Sequence, residues 1–273
     1  SVRGVLGVAL VAGLFVFGIF VLIKSRRWSM VGHRLPLSIS LIMLIGFLAL
    51  TLNDEGEAAG LLAILAVGVL ISAGALPGIA GVIAWLKQCA PLRLHGAEQL
   101  VAGHLRSPAV AASLTAGLAG GAAVAAITMA HGALALGLQG YDPSVGRQLT
   151  IASPDSYVSM LPWLAGAVGL ALGLAFLCEL VMRLTARRVL PLALLALLLG
   201  VLMAGDLPFA VSAAFAALMA GVLVAVYVRF GFAAAAVAIF VMLLLLDLAA
   251  ARSVGGPVAG PRGWCWDCCS PGP

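Results

Sequence analysis

Residues 161–182 read LPWLAGAVGLALGLAFLCELVM, twenty-two positions in which Glu179 is the only charged side chain. The hydrocarbon core of a bilayer is about 30 Å thick and a helix rises about 1.5 Å per residue, so roughly 20 apolar residues cross it. Inside lipid no water satisfies backbone N–H and C=O groups, and a helix satisfies them within one segment. The stretch therefore predicts a membrane-spanning α-helix with one costly ionisable group near its end.

Seven more runs of this kind lie on either side of it. The eight together fall at about 4–23, 36–53, 60–86, 108–138, 161–182, 189–205, 209–228 and 231–250. The run at 60–86 is long enough for a kink at Gly74-Ala75-Leu76-Pro77-Gly78. The whole 273-residue chain is 63% hydrophobic and 9% charged, and its mean hydropathy is +1.18. A soluble domain carries about 25% charged residues, so this chain has too few to cover a water-facing surface. The expected fold is all-α, a polytopic transmembrane bundle of about eight spans over residues 1–250.

Charge asymmetry orients the spans. Alternate connections hold Lys24, Arg26, Arg27 and Arg34, then Lys87, Arg93 and Arg106, then Arg183, Arg187 and Arg188, then Arg229, which is eleven of the fifteen basic residues. Lys and Arg accumulate in short cytoplasmic loops, which places these connections inside and both termini outside. Trp28, Trp85, Tyr141, Tyr157, Trp163 and Tyr227 fall near span ends, where amphipathic rings suit the headgroup layer. The net charge of +5 thus reads as membrane orientation and not as a nucleic-acid surface. The expected partner is the lipid bilayer.

Between the third and fourth spans, residues 91–108 read PLRLHGAEQLVAGHLRSP. Leu92, Leu94, Leu100, Val101 and Leu105 alternate with Arg93, His95, Glu98 and Arg106, a weakly amphipathic pattern suited to an interfacial helix over about 91–107. Residues 251–273 turn to Gly, Pro, Trp and Cys, a composition that neither spans nor packs. They are expected to form an unstructured tail such as a frameshift or misassembly would produce. Ser1 in place of Met reads as a truncated start.

Glu179 and Arg183, at i and i+4 on one helix face, form a candidate intramembrane polar pair. The bland alternative is an ion pair that snorkels to the interface. Secondary candidates are Asp247, near the outer end of the last span, and His131, within the fourth. No two His have the spacing of a helical zinc site, and Cys265-x-x-Cys268-Cys269 in the tail is half of a zinc or redox motif. Gly-x-Gly, Walker, His-Arg-Asp and Asp-Phe-Gly patterns do not occur, so no cofactor, no catalytic residue and no kinase or ATPase site are expected. Five Gly-x-x-x-Gly pairs, Gly117/Gly121 among them, match what this glycine content gives by chance and are not read as helix interfaces.

Residues 91–108, and again 226–248 (VYVRFGFAAAAVAIFVMLLLLDL), resemble the multi-pass C-terminal membrane region of certain bacterial serine/threonine protein kinases. That region has a basic first loop, a loop of the kind SW-x-RL-x-AGRLRDPLVGRD and a last span announced by LRFG. The resemblance implies a cytoplasmic kinase domain upstream, a location in the bacterial inner membrane and a non-catalytic anchoring or sensory role for these residues. Secondly, Glu179-Leu180-Val181-Met182-Arg183 is similar to the Glu-Glu-x-x-x-Arg motif of CAAX-processing and bacteriocin-immunity membrane proteases. Cys178 stands where the first Glu belongs and no His follows His131, which implies a degenerate, inactive site. A small-solute transporter or channel is the remaining alternative, and it would be favoured by inverted halves or by broken helices meeting at the midplane.

Overall fold

The computed structural model of the chain describes residues 34–54, 76–139, 160–184, 193 and 209–254. Among these the secondary structure is entirely helical. The helices are α1 (Arg34–Asp54), α2 (described over 76–89), α3 (Pro91–Val101), α4 (Pro108–Gln139), α5 (Met160–Leu184), α6 (Phe209–Phe230) and α7 (Phe232–Val254). Among the described residues, three stretches are long and apolar enough to cross a membrane: Pro108–Leu134 in α4, Met160–Leu184, and Ala210–Phe230 in α6. Shorter apolar runs occupy Arg34–Gly46 in α1 and Phe232–Leu246 in α7.

Helices α1, α4, α5, α6 and α7 coincide with five of the expected spans. The run at 4–23, that at 189–205 apart from Ala193, and residues 60–75 of the third lie outside the described residues. So do Gly74 and Ala75 of the expected kink, and Cys265, Cys268 and Cys269 of the tail. Two expected boundaries move. The interfacial helix stops at Val101, because residues 102–107 form turns in which Gly103 takes a φ of +82°. The last helix runs to Val254, past the expected end at 250. Ala249, Ala250 and Ala251 are strong helix formers, and the first breaker after them is Gly255.

Helix α7 is central and packs against α4, α5 and α6; α1 packs on α5, and α4 on α6. Its buried Ala233, Ala234, Ala235 and Ala238 let neighbours approach closely. Facing them, a Cβ on Gly117 would lie 2.8 Å from the carbonyl oxygen of Ala234, and one on Gly121 2.5 Å from that of Ala238. Gly117/Gly121 is therefore a close-approach face and not a chance pair. In lipid, packing of this kind replaces the hydrophobic drive that assembles soluble helices.

Helix α3 closes one end of the bundle. It touches α4, α7, α1 and α6 and reaches α5 through Arg93. Pro91 starts it directly after Ala90, a position where the missing N–H is not needed. The break between α2 and α3 is thus written into the sequence, and it turns the chain across the bundle end.

Candidate functional site

Three helices place polar groups around Glu179 at that end. Glu179 stands in the last turns of α5 and is 5% exposed. A lone carboxylate there would lose its hydration with nothing in return, so its partners decide whether it stays charged. Nη1 of Arg93, from the first turn of α3, makes an ion pair with Glu179 Oε1. The Tyr227 hydroxyl, from α6, donates to the same oxygen at 2.9 Å. Arg93 is also 3.5 Å from Met182 Sδ, and its guanidinium carbon lies 5.4 Å from the centre of the Tyr227 ring. Tyr227 is buried completely enough that its hydroxyl must bond within the protein, and Glu179 supplies the acceptor.

The backbone around this cluster is as closely fitted as the side chains. Gly231 separates α6 from α7 at a φ of +89°, and its N–H returns to the Tyr227 carbonyl at 2.8 Å. This is a left-handed helix end that favours glycine. A side chain at Gly231 would also run into the backbone carbonyl of Arg93, so α3 sits directly on the turn. The Ser113 hydroxyl of α4 donates to the Phe230 carbonyl at 3.3 Å, satisfying one acceptor that the helix end leaves open.

The expected pairing of Glu179 with Arg183 is not what forms. Arg183 is exposed and its guanidinium lies 5.7 Å above the ring of Trp85, which in turn packs on Phe176 at 5.2 Å. The reason is geometric: burial turns Glu179 inward, toward α3 and α6, while Arg183 leaves the last turn of α5 at the surface. The expected headgroup position of Tyr227 is likewise corrected, since the ring is buried among helices. His131 Nε2 lies 3.3 Å from the Ser212 hydroxyl and meets Phe215 edge-on at 5.2 Å, far along α4 from this end. Asp247 is helical within α7, and its side chain lies outside the described residues.

Beside the cluster a partly open cleft of about 390 Å³ runs between the α2–α3 junction and the end of α5, lined by Cys89, Leu92, Arg93 and Arg183 among others. Burial pushes the Cys89 thiol up to about 11, against the pull of the Arg183 guanidinium. At neutral pH it is a protonated, weakly nucleophilic thiol.

A general base must present its carboxylate to a water or substrate proton. Glu179 gives Oε1 to a guanidinium and a phenol while its side chain also lines the cleft, and among the described residues His95 lies beside Gln99 and His131 beside Ser212. No three His, Cys, Asp or Glu among the described residues converge in a way that would hold a metal ion. Arg93 and Tyr227 were absent from the sequence-based candidates. The available signal was depth, because Glu179 and Tyr227 fall at ends of expected spans and Arg93 in the expected interfacial helix, all on the side that the charge asymmetry marks as one face. Comparison of the chain with protein-family models, with curated proteins and with solved structures gave no match.

Proposed function

We propose that the chain is a non-catalytic, eight-span membrane domain of the bacterial inner membrane, the anchoring or sensory part of a receptor-kinase-like protein with its kinase upstream. The observation that carries the reading is the Arg93–Glu179–Tyr227 cluster. The buried carboxylate is neutralised and hydrogen-bonded, which suits a structural tie better than a reaction centre. What it ties is α3, the element on the side where charge asymmetry puts the cytoplasm, to α5 and α6. A signal carried by the bundle would leave it through α3. The two stretches that carry the kinase resemblance, 91–108 and 226–248, meet in space at Arg93 and Gly231, which supports treating them as one feature.

The test has two arms. Sequencing the gene upstream of the codon for Ser1 should reveal a continuous reading frame encoding a kinase domain; an unrelated upstream sequence would remove the kinase part of the proposal. Single-cysteine labelling in membrane vesicles should place residues 24–34, 87–106 and 183–188 on one face and 142–155 on the other. Label reaching 142–155 from the same face as 24–34 would overturn the eight-span topology.

A further inference from the structure

The cleft at the end of α5 has two unlike linings. One is cationic. Of its two guanidiniums, Arg93 is committed to Glu179, whereas no acidic side chain among the described residues lies within ion-pair distance of Arg183. Among the described residues the cleft thus holds one positive charge without an acidic partner, on an exposed side chain already oriented by the Trp85 ring. A guanidinium presents a planar fork of donors that matches a phosphate, and stacking on an aromatic ring reduces the freedom lost when it binds. By sequence, Arg187 and Arg188 follow four and five residues later.

The other lining is apolar and faces outward. Leu92 lines the cleft and is 88% exposed; Leu184, which follows Arg183 at the end of α5 outside the lining, is 75% exposed. Large apolar side chains held so openly around a cationic pocket are unfavourable in water and suited to the acyl boundary of a bilayer. The position agrees, because the cleft sits where a span-like helix ends and the short helix α3 crosses it. Basic pockets between helices at that level bind anionic headgroups. A volume of about 390 Å³ is within the range of small-ligand sites.

From this arrangement we infer that the cleft is a specific site for an anionic phospholipid, with the headgroup phosphate on Arg183 and an acyl chain along Leu92. A free phosphate shares the chemistry of the headgroup but has no use for the apolar rim. The inference rests on the membrane reading above. Cys89, on the cleft wall, is a hydrogen-bonding neighbour of Arg183, so a bound phosphate shares that guanidinium's donors with the thiol.

The experiment uses the full chain in neutral detergent, titrated with dioleoylphosphatidylglycerol and followed by native mass spectrometry and thermal unfolding. Phosphatidylglycerol should bind with one tight stoichiometric step and raise the melting temperature, and phosphatidylcholine should not. Arg183→Gln should weaken that step by about tenfold or more, since a charge-assisted contact contributes at least that factor. Arg183→Lys should restore part of it, and Arg106→Gln, an exposed charge in the turns after α3, should leave it intact. If Arg183→Gln does not fold, Leu92→Ser provides the second variant and should also weaken lipid binding. Unchanged phosphatidylglycerol binding in both variants would overturn the site. Equal stabilisation of the wild type by inorganic phosphate alone would overturn the lipid assignment. A chain released from membranes by alkaline carbonate would sink the membrane reading itself, whereas an embedded chain indifferent to phosphatidylglycerol sinks only this site.

Discussion

The pairing of Arg93 with Glu179 can be tested as a double-mutant cycle, and the burial of each partner sets the size of each arm. Removing one partner of a buried ion pair costs about 3–5 kcal/mol because it strands the other charge. The two partners are not equally buried: the side chain of Glu179 is 6% exposed and that of Arg93 22%. Glu179→Gln leaves Arg93 at the edge of the cleft, where water reaches it, and a glutamine oxygen still accepts from Tyr227. We expect a loss of about 2 kcal/mol. Arg93→Gln strands the more deeply buried charge with only the Tyr227 hydroxyl for company, so its loss should be the larger, about 3–4 kcal/mol. In the double variant neither charge remains to be stranded, and the penalties should fall short of additivity by about 2 kcal/mol.

Reversible unfolding in mixed detergent micelles, followed by helicity, measures all four corners of the cycle. Had Glu179 paired with Arg183 on the exposed face of one helix, the pair would contribute only a few tenths of a kcal/mol and Arg93→Gln would be nearly silent. The reasoning is refuted if Arg93→Gln and Glu179→Gln each stay within about 0.5 kcal/mol of the wild type, or if their effects simply add.

Gly231→Ala should destabilise by at least about 2 kcal/mol in the same unfolding assay, since it combines a left-handed backbone with a clash against the Arg93 carbonyl; tolerance would mean that α3 does not rest on this turn. Gly121→Ala should cost about 1–3 kcal/mol because its Cβ meets the Ala238 carbonyl. Gly132→Ala, on the same helix with nothing within 4 Å, should shift stability by no more than about 1 kcal/mol, and equal effects would deny the α4–α7 contact. The folded protein holds the Cys89 proton more tightly than the unfolded chain, about 11 against an ordinary 9.0. Any stability linked to this thiol is therefore intact below pH 9 and lost as pH rises toward 11. Iodoacetamide labelling of a variant retaining only Cys89 should accordingly have its midpoint near pH 11, and a midpoint near 9 would mean the thiol is solvated.

The helices were legible because the signal for them is local. Twenty apolar residues between charges state a span without reference to any other part of the chain, and Pro91 and Pro108 mark where α3 and α4 begin. Partners were not legible. For Glu179 the nearest basic residue in sequence is Arg183, four positions on, whereas its actual partner lies 86 positions away. Choosing between them requires knowing which helix ends converge and which way Glu179 faces. Tyr227 was misread for a related reason, since an aromatic near a span end looks the same whether it faces headgroups or another helix. Gly117 and Gly121 show the limit of counting, because a glycine-rich chain produces such pairs by chance and only the facing carbonyls of Ala234 and Ala238 distinguish this one.

The cluster also constrains how α3 can move. An isolated helix of eleven residues is marginal in water, so the position of α3 depends on what it docks against. Its first turn is held by the Arg93 ion pair and by backbone contact with Gly231, and its middle by Gly96 against Ser113. Lifting Arg93 away leaves the buried Glu179 carboxylate with only the Tyr227 hydroxyl as soon as the ion pair opens, so the first increments of displacement carry most of the penalty. Motion of α3 should therefore be closer to two discrete positions than to a continuous tilt. A ligand that drives it must distinguish those positions by several kcal/mol, roughly 5 for a nearly complete shift. A contact on the exposed outer face of α3, at Leu100 for example, is a poor candidate for that work because it is available in both positions. Contacts at the α3–α5 cleft differ between the two, and that is where a regulator of this domain has leverage.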